Sequence, residues 1–250
     1  MSKKYWEFKN QANNEADLYL YIEIASWGGG YAAHSAQSFK QELDDLGEIN
    51  ALNIYINSPG GDVFEGIAIM NMIKRKNCTK NIYIDGMAAS IASVIAMAGD
   101  NIIMPSNAMM MVHNAWTYAA GNSNDFKKLA EDLDKINTSI KQAYLDKAGD
   151  KLDGETITSL MDNETWLTAQ ECFNYGLCNQ VGENKSVAAK FDLNSLNNYK
   201  NIPVAYIMDL AKENKNADNT DNSEEVKNHN QKESDIEDEK RAILEDLDLI

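Results

Sequence analysis

Residues Leu52 to Ala98 read LNIYINSPGGDVFEGIAIMNMIKRKNCTKNIYIDGMAASIASVIAMA, and this stretch holds two strand-turn-helix units end to end. The apolar run Leu52–Ile56 predicts a strand, and Asn57-Ser58-Pro59-Gly60-Gly61 ends it, because adjacent glycines take backbone angles that other residues resist. A helix is expected from Val63 to Lys74. The unit then recurs as a strand over Asn81–Asp85, a turn over Gly86–Ala89 and an apolar helix from Ser90 to Ala98. Strands alternating with helices of about ten residues imply parallel pairing through right-handed crossovers, which makes this an α/β chain.

The flanking sequence extends the pattern. Upstream, LYLYIEI over Leu18–Ile24 is rich in β-formers, and the glycines between Trp27 and Gly30 break it. Phe39, Leu43 and Leu46 then recur at helical spacing, predicting a helix over about His34–Leu46. Downstream, short strands are expected at Asn101–Met104 and Ala108–Val112, separated by Pro105. Ser123–Ala148 reads as one helix on the order of 40 Å long, with Phe126, Leu129, Leu133, Ile136, Ile140 and Tyr144 on a narrow stripe. Such a stripe needs a cover, either this chain's own domain or another subunit. Gly154–Met161 predicts a short helix. Thr168 and Glu171 form a capping box for another that runs through Tyr175 and stops at Gly176, and Leu177–Val181 follows as a closing strand.

The 250 residues are 44% apolar, enough for one core plus a tail, and three cysteines (Cys78, Cys172, Cys178) give neither a disulfide framework nor a CxxC metal motif. Reduced thiols in a cytoplasmic protein are the expectation, with no metal and no cofactor. A net charge of -16 argues against nucleic-acid binding, since phosphates attract clustered Lys and Arg. The basic N-terminus lacks the apolar core of a signal peptide, and no stretch reaches the roughly 20 apolar residues of a spanning helix. Three parts are expected: an N-terminal extension (1–17), a folded domain (18–208) and an acidic, mostly disordered tail (209–250), whose last residues Ala242–Ile250 suit a short docking helix.

Four short segments carry candidate chemistry. Ser90 follows a strand and a tight turn at the start of a helix, where free amides favour negative charge, although serine is also a common N-cap. Gly60-Gly61 ends the preceding strand at the same sheet edge, where bare backbone N–H groups can approach a substrate carbonyl. His113 ends an apolar strand and is the leading candidate for a general base, since His34 and His229 fall at a helix start and in the tail. Asp162 could orient the imidazole or serve as a turn residue, and Glu164 is its rival.

Asn57-Ser58-Pro59-Gly60-Gly61, Gly86-Met87-Ala88-Ala89-Ser90, Met111-Val112-His113 and Trp166-Leu167-Thr168-Ala169-Gln170-Glu171 occur in one order. From about Leu18 to Val181 the chain resembles the proteolytic subunit of the Clp protease (ClpP). The resemblance implies the repeated ββα superhelix shared with crotonases, with a long protruding handle helix, here the stripe from Phe126 to Tyr144, that interlocks two rings. It implies a Ser90, His113, Asp162 triad, with oxyanion donors at the Gly61 and Ile91 amides, cutting protein or peptide substrates inside a homo-oligomeric chamber of stacked rings. The segment between Asp162 and Trp166 looks shorter than in housekeeping members, which keeps Glu164 open.

The N-terminal segment and acidic tail resemble the phage-encoded branch, whose members trim head proteins beside portal and capsid genes. Partners implied are capsid or portal proteins, or an AAA+ unfoldase. The chain has no GxxxxGK[ST] phosphate loop, so any ATP use belongs to a partner. Two rivals share the same elements: a non-catalytic capsid-assembly scaffold, favoured by the tail, and a crotonase-like acyl-CoA hydratase, which needs two backbone amides but no serine nucleophile.

Overall fold

The computed structural model describes residues 4–10, 13–25, 35–183, 196 and 199–203. The chain divides into two compact units, Met1–Ile202 and Pro203–Ile250. The second lies, Pro203 apart, outside the described residues, as do the loop expected at Trp27–Gly30, the acidic tail and its terminal helix, His34 and His229.

The first unit is the expected α/β body. Its strands are β1 (Trp6–Asn10), β2 (Glu15–Tyr21), β3 (Ala51–Ser58), β4 (Thr79–Ala89), β5 (Asn101–Pro105), β6 (Met109–Val112), β7 (Thr165–Thr168) and β8 (Gln180–Gly182). Its helices are α1 (Ala36–Asp45), α2 (Val63–Arg75), α3 (Ile91–Ala96), α4 (Ser123–Ala148), α5 (Gly154–Asp162) and α6 (Ala169–Asn174). The main sheet runs β1-β2-β3-β4-β5-β8, parallel throughout except for the antiparallel β1–β2 pair.

Alternation along β3 and β4 sorts the two faces. Ile54, Ile56, Ile82 and Ile84 are fully buried, as expected for strands covered by helices. The opposite face stacks Tyr19 on Tyr55 and Tyr55 on Tyr83. Beside them, Asn53 donates to Asp17, Asn81 to Asn53 and Asn101 to Asn81. Slipping the register by one residue would break this side-chain ladder and carry the isoleucines to the wrong face.

Two features go beyond the sequence pattern. β1 lies in the stretch set apart as an N-terminal extension, yet it pairs with β2 along its whole length and Trp6 is buried. The expected turn at Gly86–Ala89 is a continuation of β4. A register shift after Ile56 lets β4 run past its partner, Asn57 Oδ1 accepts from Met87 N at 3.2 Å, and the overhang pairs with β6. The first half of β4 therefore pairs with β5 and the second half with β6, which in turn pairs antiparallel with β7.

Helix starts follow local capping chemistry. Asp62, Asn122 and Asp153 each accept amides of the first turn of α2, α4 and α5, and Thr168 with Glu171 closes the predicted box on α6. Each cap of this kind contributes about 1 kcal/mol. The last third of α4 buries Ile140, Ala143, Tyr144 and Ala148 against the body, whereas Phe126 at its start is 48% exposed. Among the described residues, no helix is long and apolar enough to cross a membrane, and no cluster of three metal-ligating side chains occurs.

Candidate active site

Ser90 is held where β4 ends and α3 begins. Its amide donates to Met111 O of β6 at 2.9 Å, and its backbone lies at φ 54°, ψ -130°, a region costly for a residue with a side chain. Gly60 is pressed against it, so that a Cβ there would lie 2.5 Å from Ser90 Cβ and 2.8 Å from Ala89 O. Gly61 is equally confined, since an added Cβ would meet Ile24 O at 1.9 Å. Ser58 pins this turn by donating its hydroxyl to Ile22 O at 2.6 Å and accepting from Gly60 N at 3.2 Å. Ile24 N and Asp62 N make the bridge between Ile24 and the glycine turn, which leaves the Gly61 N–H out of that pairing.

His113 follows β6 directly, and its Nε2 lies 2.7 Å from Ser90 Oγ. Pairing of Ala89 with Met111 brings the two residues together across one ladder. Burial pushes the imidazole below its ordinary 6.5, while the charge of Glu164 works the other way. The ring edge of Tyr199 meets His113 at a centroid distance of 5.4 Å, and the Tyr199 hydroxyl donates to Pro59 O at 2.5 Å. Burial raises this phenol to about 12, so it stays protonated. A cleft of about 190 Å³ is lined by Ser90, His113, Gly60, Gly61, Trp116 and Tyr199 among others.

Asp162 and Glu164 line a second cavity with His113, one that Ser90 does not reach. Asp162, the last residue of α5, accepts from Asn114 Nδ2 at 2.7 Å and makes no hydrogen bond to His113. Glu164 accepts the Lys200 and Asn201 amides at 2.5 and 2.8 Å. The structure thus brings Ser90, His113, Gly61 and Ile91 together, and leaves Asp162 one residue away on Asn114. Tyr199 and Asn114 escaped the sequence reading. Tyr199 belongs to no motif and lies far along the chain from the other cleft residues, and Asn114 is an ordinary polar residue until its partner is known.

The Clp protease family model matches residues 32–185. The chain belongs to the Clp protease family. An ATP-dependent Clp protease proteolytic subunit of Ligilactobacillus salivarius is 36% identical over 146 residues, covering 57% of this chain and 73% of that protein. A protein of the same name from Bacteroides fragilis is 30% identical over 154 residues, covering 60% and 73%. Membership of the Clp protease family makes the chain a serine peptidase, and Ser90 and His113 fall within the matched span. Tyr199 lies beyond that span, so this wall of the cleft comes from sequence that the family model does not cover.

Proposed function

We propose that the protein is a serine endopeptidase in which Ser90 is the nucleophile, His113 the general base and Asp162 the acid that orients the base. The observation that carries this reading is the 2.7 Å separation of His113 Nε2 and Ser90 Oγ beside the Gly60-Gly61 turn. With the serine donating, Nε2 accepts and the imidazole proton resides on Nδ1. As Oγ attacks the scissile carbonyl, its proton passes to Nε2, and the developing oxyanion meets the Gly61 and Ile91 amides. The imidazolium then gives that proton to the leaving amine, and water releases the acyl group by the same route.

Asp162 is preferred over Glu164 because Glu164 is already committed to two backbone amides. Among the described residues, Asp162 holds the neutral side chain of Asn114, next to the proposed base, and catalytic hydrogen bonds often tighten only with substrate bound. An imidazole within hydrogen-bonding distance of a serine hydroxyl also favours peptidase chemistry over a hydratase, which has no use for the pair.

In the wider reading, the half-uncovered stripe on α4 joins copies of the chain into stacked rings around a chamber. The substrates are proteins or peptides in the cytoplasm, including phage head proteins at maturation, with capsid or portal proteins or a separate unfoldase as partners. Ser90→Ala should lower turnover of a fluorogenic peptide by several orders of magnitude, and a fluorophosphonate should label wild-type protein on Ser90 alone. Undiminished cleavage by the alanine variant, or label elsewhere, removes the assignment.

A further inference from the structure

We propose that Ser93 and Tyr144 are positioning residues that aim and polarise the Ile91 amide of the oxyanion hole, an inference that rests on the peptidase reading above. The Ser90 carbonyl and the Ile91 N–H belong to one planar peptide unit, so whatever fixes the carbonyl fixes the amide. That carbonyl accepts two hydrogen bonds from one residue, Ser93 N at 3.0 Å and Ser93 Oγ at 2.5 Å. Ser93 Oγ in turn lies 2.7 Å from the Tyr144 hydroxyl. A carbonyl oxygen can only accept, so the Ser93 hydroxyl spends its proton there and accepts from Tyr144. The proton order along the chain is therefore fixed, from Tyr144 O–H to Ser93 O–H to the Ser90 carbonyl, and ends at the Ile91 N–H on the other side of the same peptide.

Three observations give this relay a function beyond satisfying buried polar groups. Ser90 has a left-handed φ, so its own preferences do not hold the peptide plane that follows it, and the surroundings must. Ser93 and Tyr144 are 0% and 1% exposed, so water cannot replace either hydroxyl. Burial raises the Tyr144 phenol well above its usual range, which keeps it a donor at every working pH. Hydrogen bonds in series strengthen one another by roughly 10–30% each in a low-dielectric interior, and here the strengthened member is the amide facing the reacting oxygen.

The test uses the full chain as wild type, Tyr144→Phe, Ser93→Ala and the double variant. The readouts are kcat and KM on a fluorogenic peptide, the Ki of a peptide boronate whose hydroxyl takes the oxyanion's place, and thermal midpoint. Tyr144→Phe is the cleaner change, since Ser93 can still donate to Ser90 and no buried polar atom loses its only partner. It should lower kcat about 3- to 10-fold and weaken the boronate by the same factor, with KM within twofold. Ser93→Ala should cost about 10- to 30-fold, less than the hundredfold or more expected for a deleted oxyanion donor. Because the two act in series, the double variant should be no slower than Ser93→Ala, whereas independent packing defects would multiply. Single variants with kcat and boronate Ki within twofold of wild type, or losses that appear in KM alone, would overturn the relay. Wild-type protein that a fluorophosphonate does not label on Ser90 would overturn the peptidase reading and the relay with it.

Discussion

At the residue scale, the proposed base, His113, is tuned by opposing effects. Burial lowers the His113 pKa from its ordinary 6.5 and Glu164 raises it, with burial the larger effect. A general base works only while neutral, so the acid limb of kcat/KM should lie below pH 6.5. Glu164→Gln removes the opposing charge and should move that limb further down while leaving kcat within about threefold, because its carboxylate only influences the imidazole through space. Asp162→Asn should instead lower kcat by roughly 10²- to 10⁴-fold, by failing to hold the Nδ1 tautomer. A pH-rate series on both variants decides the matter, and a larger kcat loss for Glu164→Gln would reverse the roles. Ser90 and His113 were legible as candidates because one opens a helix after a tight turn and the other closes an apolar strand, each within a short recognisable segment. The partner of Nδ1 was not, since Asp162 and Glu164 are two residues apart and only three-dimensional packing assigns one to Asn114 and the other to the Lys200 and Asn201 amides.

At the element scale, α4 shows what a sequence specifies well. Its bounds, Ser123–Ala148, were readable because one apolar stripe runs its length between a capping box at Asn122 and Gly149. β1 and β7 were not, because five- and four-residue strands carry too little alternation, and β7 is hidden behind the capping box that follows it. The same helix makes a prediction about assembly. Its end is anchored by Tyr144 and Ala148, while Phe126 at its start contributes little to the isolated fold. Phe126→Lys with Leu129→Lys should therefore lower the particle mass in sedimentation velocity by at least half and leave the thermal midpoint of the chain nearly unchanged. A particle of unaltered mass would detach the helix from assembly.

At the scale of the whole molecule, the cleft beside Ser90 is lined by chain segments far apart in sequence, which no local pattern announces. Tyr199 packs edge-on against His113 and tethers itself to Pro59. Removing it as Tyr199→Ala should admit water to the imidazole and move the acid limb of kcat/KM upward toward pH 6.5, opposite in sign to Glu164→Gln. A limb that stays in place would mean that other groups set the burial of His113. The division of β4 between two partners was equally illegible, since it depends on which strand lies where its neighbour stops. Yet that division decides how Ser90 and His113, the proposed nucleophile and base, are spaced. Ser90 directly follows β4 and His113 directly follows β6, whose pairing runs Met87–Met109, Ala88–Met110 and Ala89–Met111, and side chains on a strand point alternately up and down. A single-codon insertion or deletion between Met109 and Val112 would thus act as a frameshift in space, leaving every residue type present and turning the imidazole away from the hydroxyl it serves.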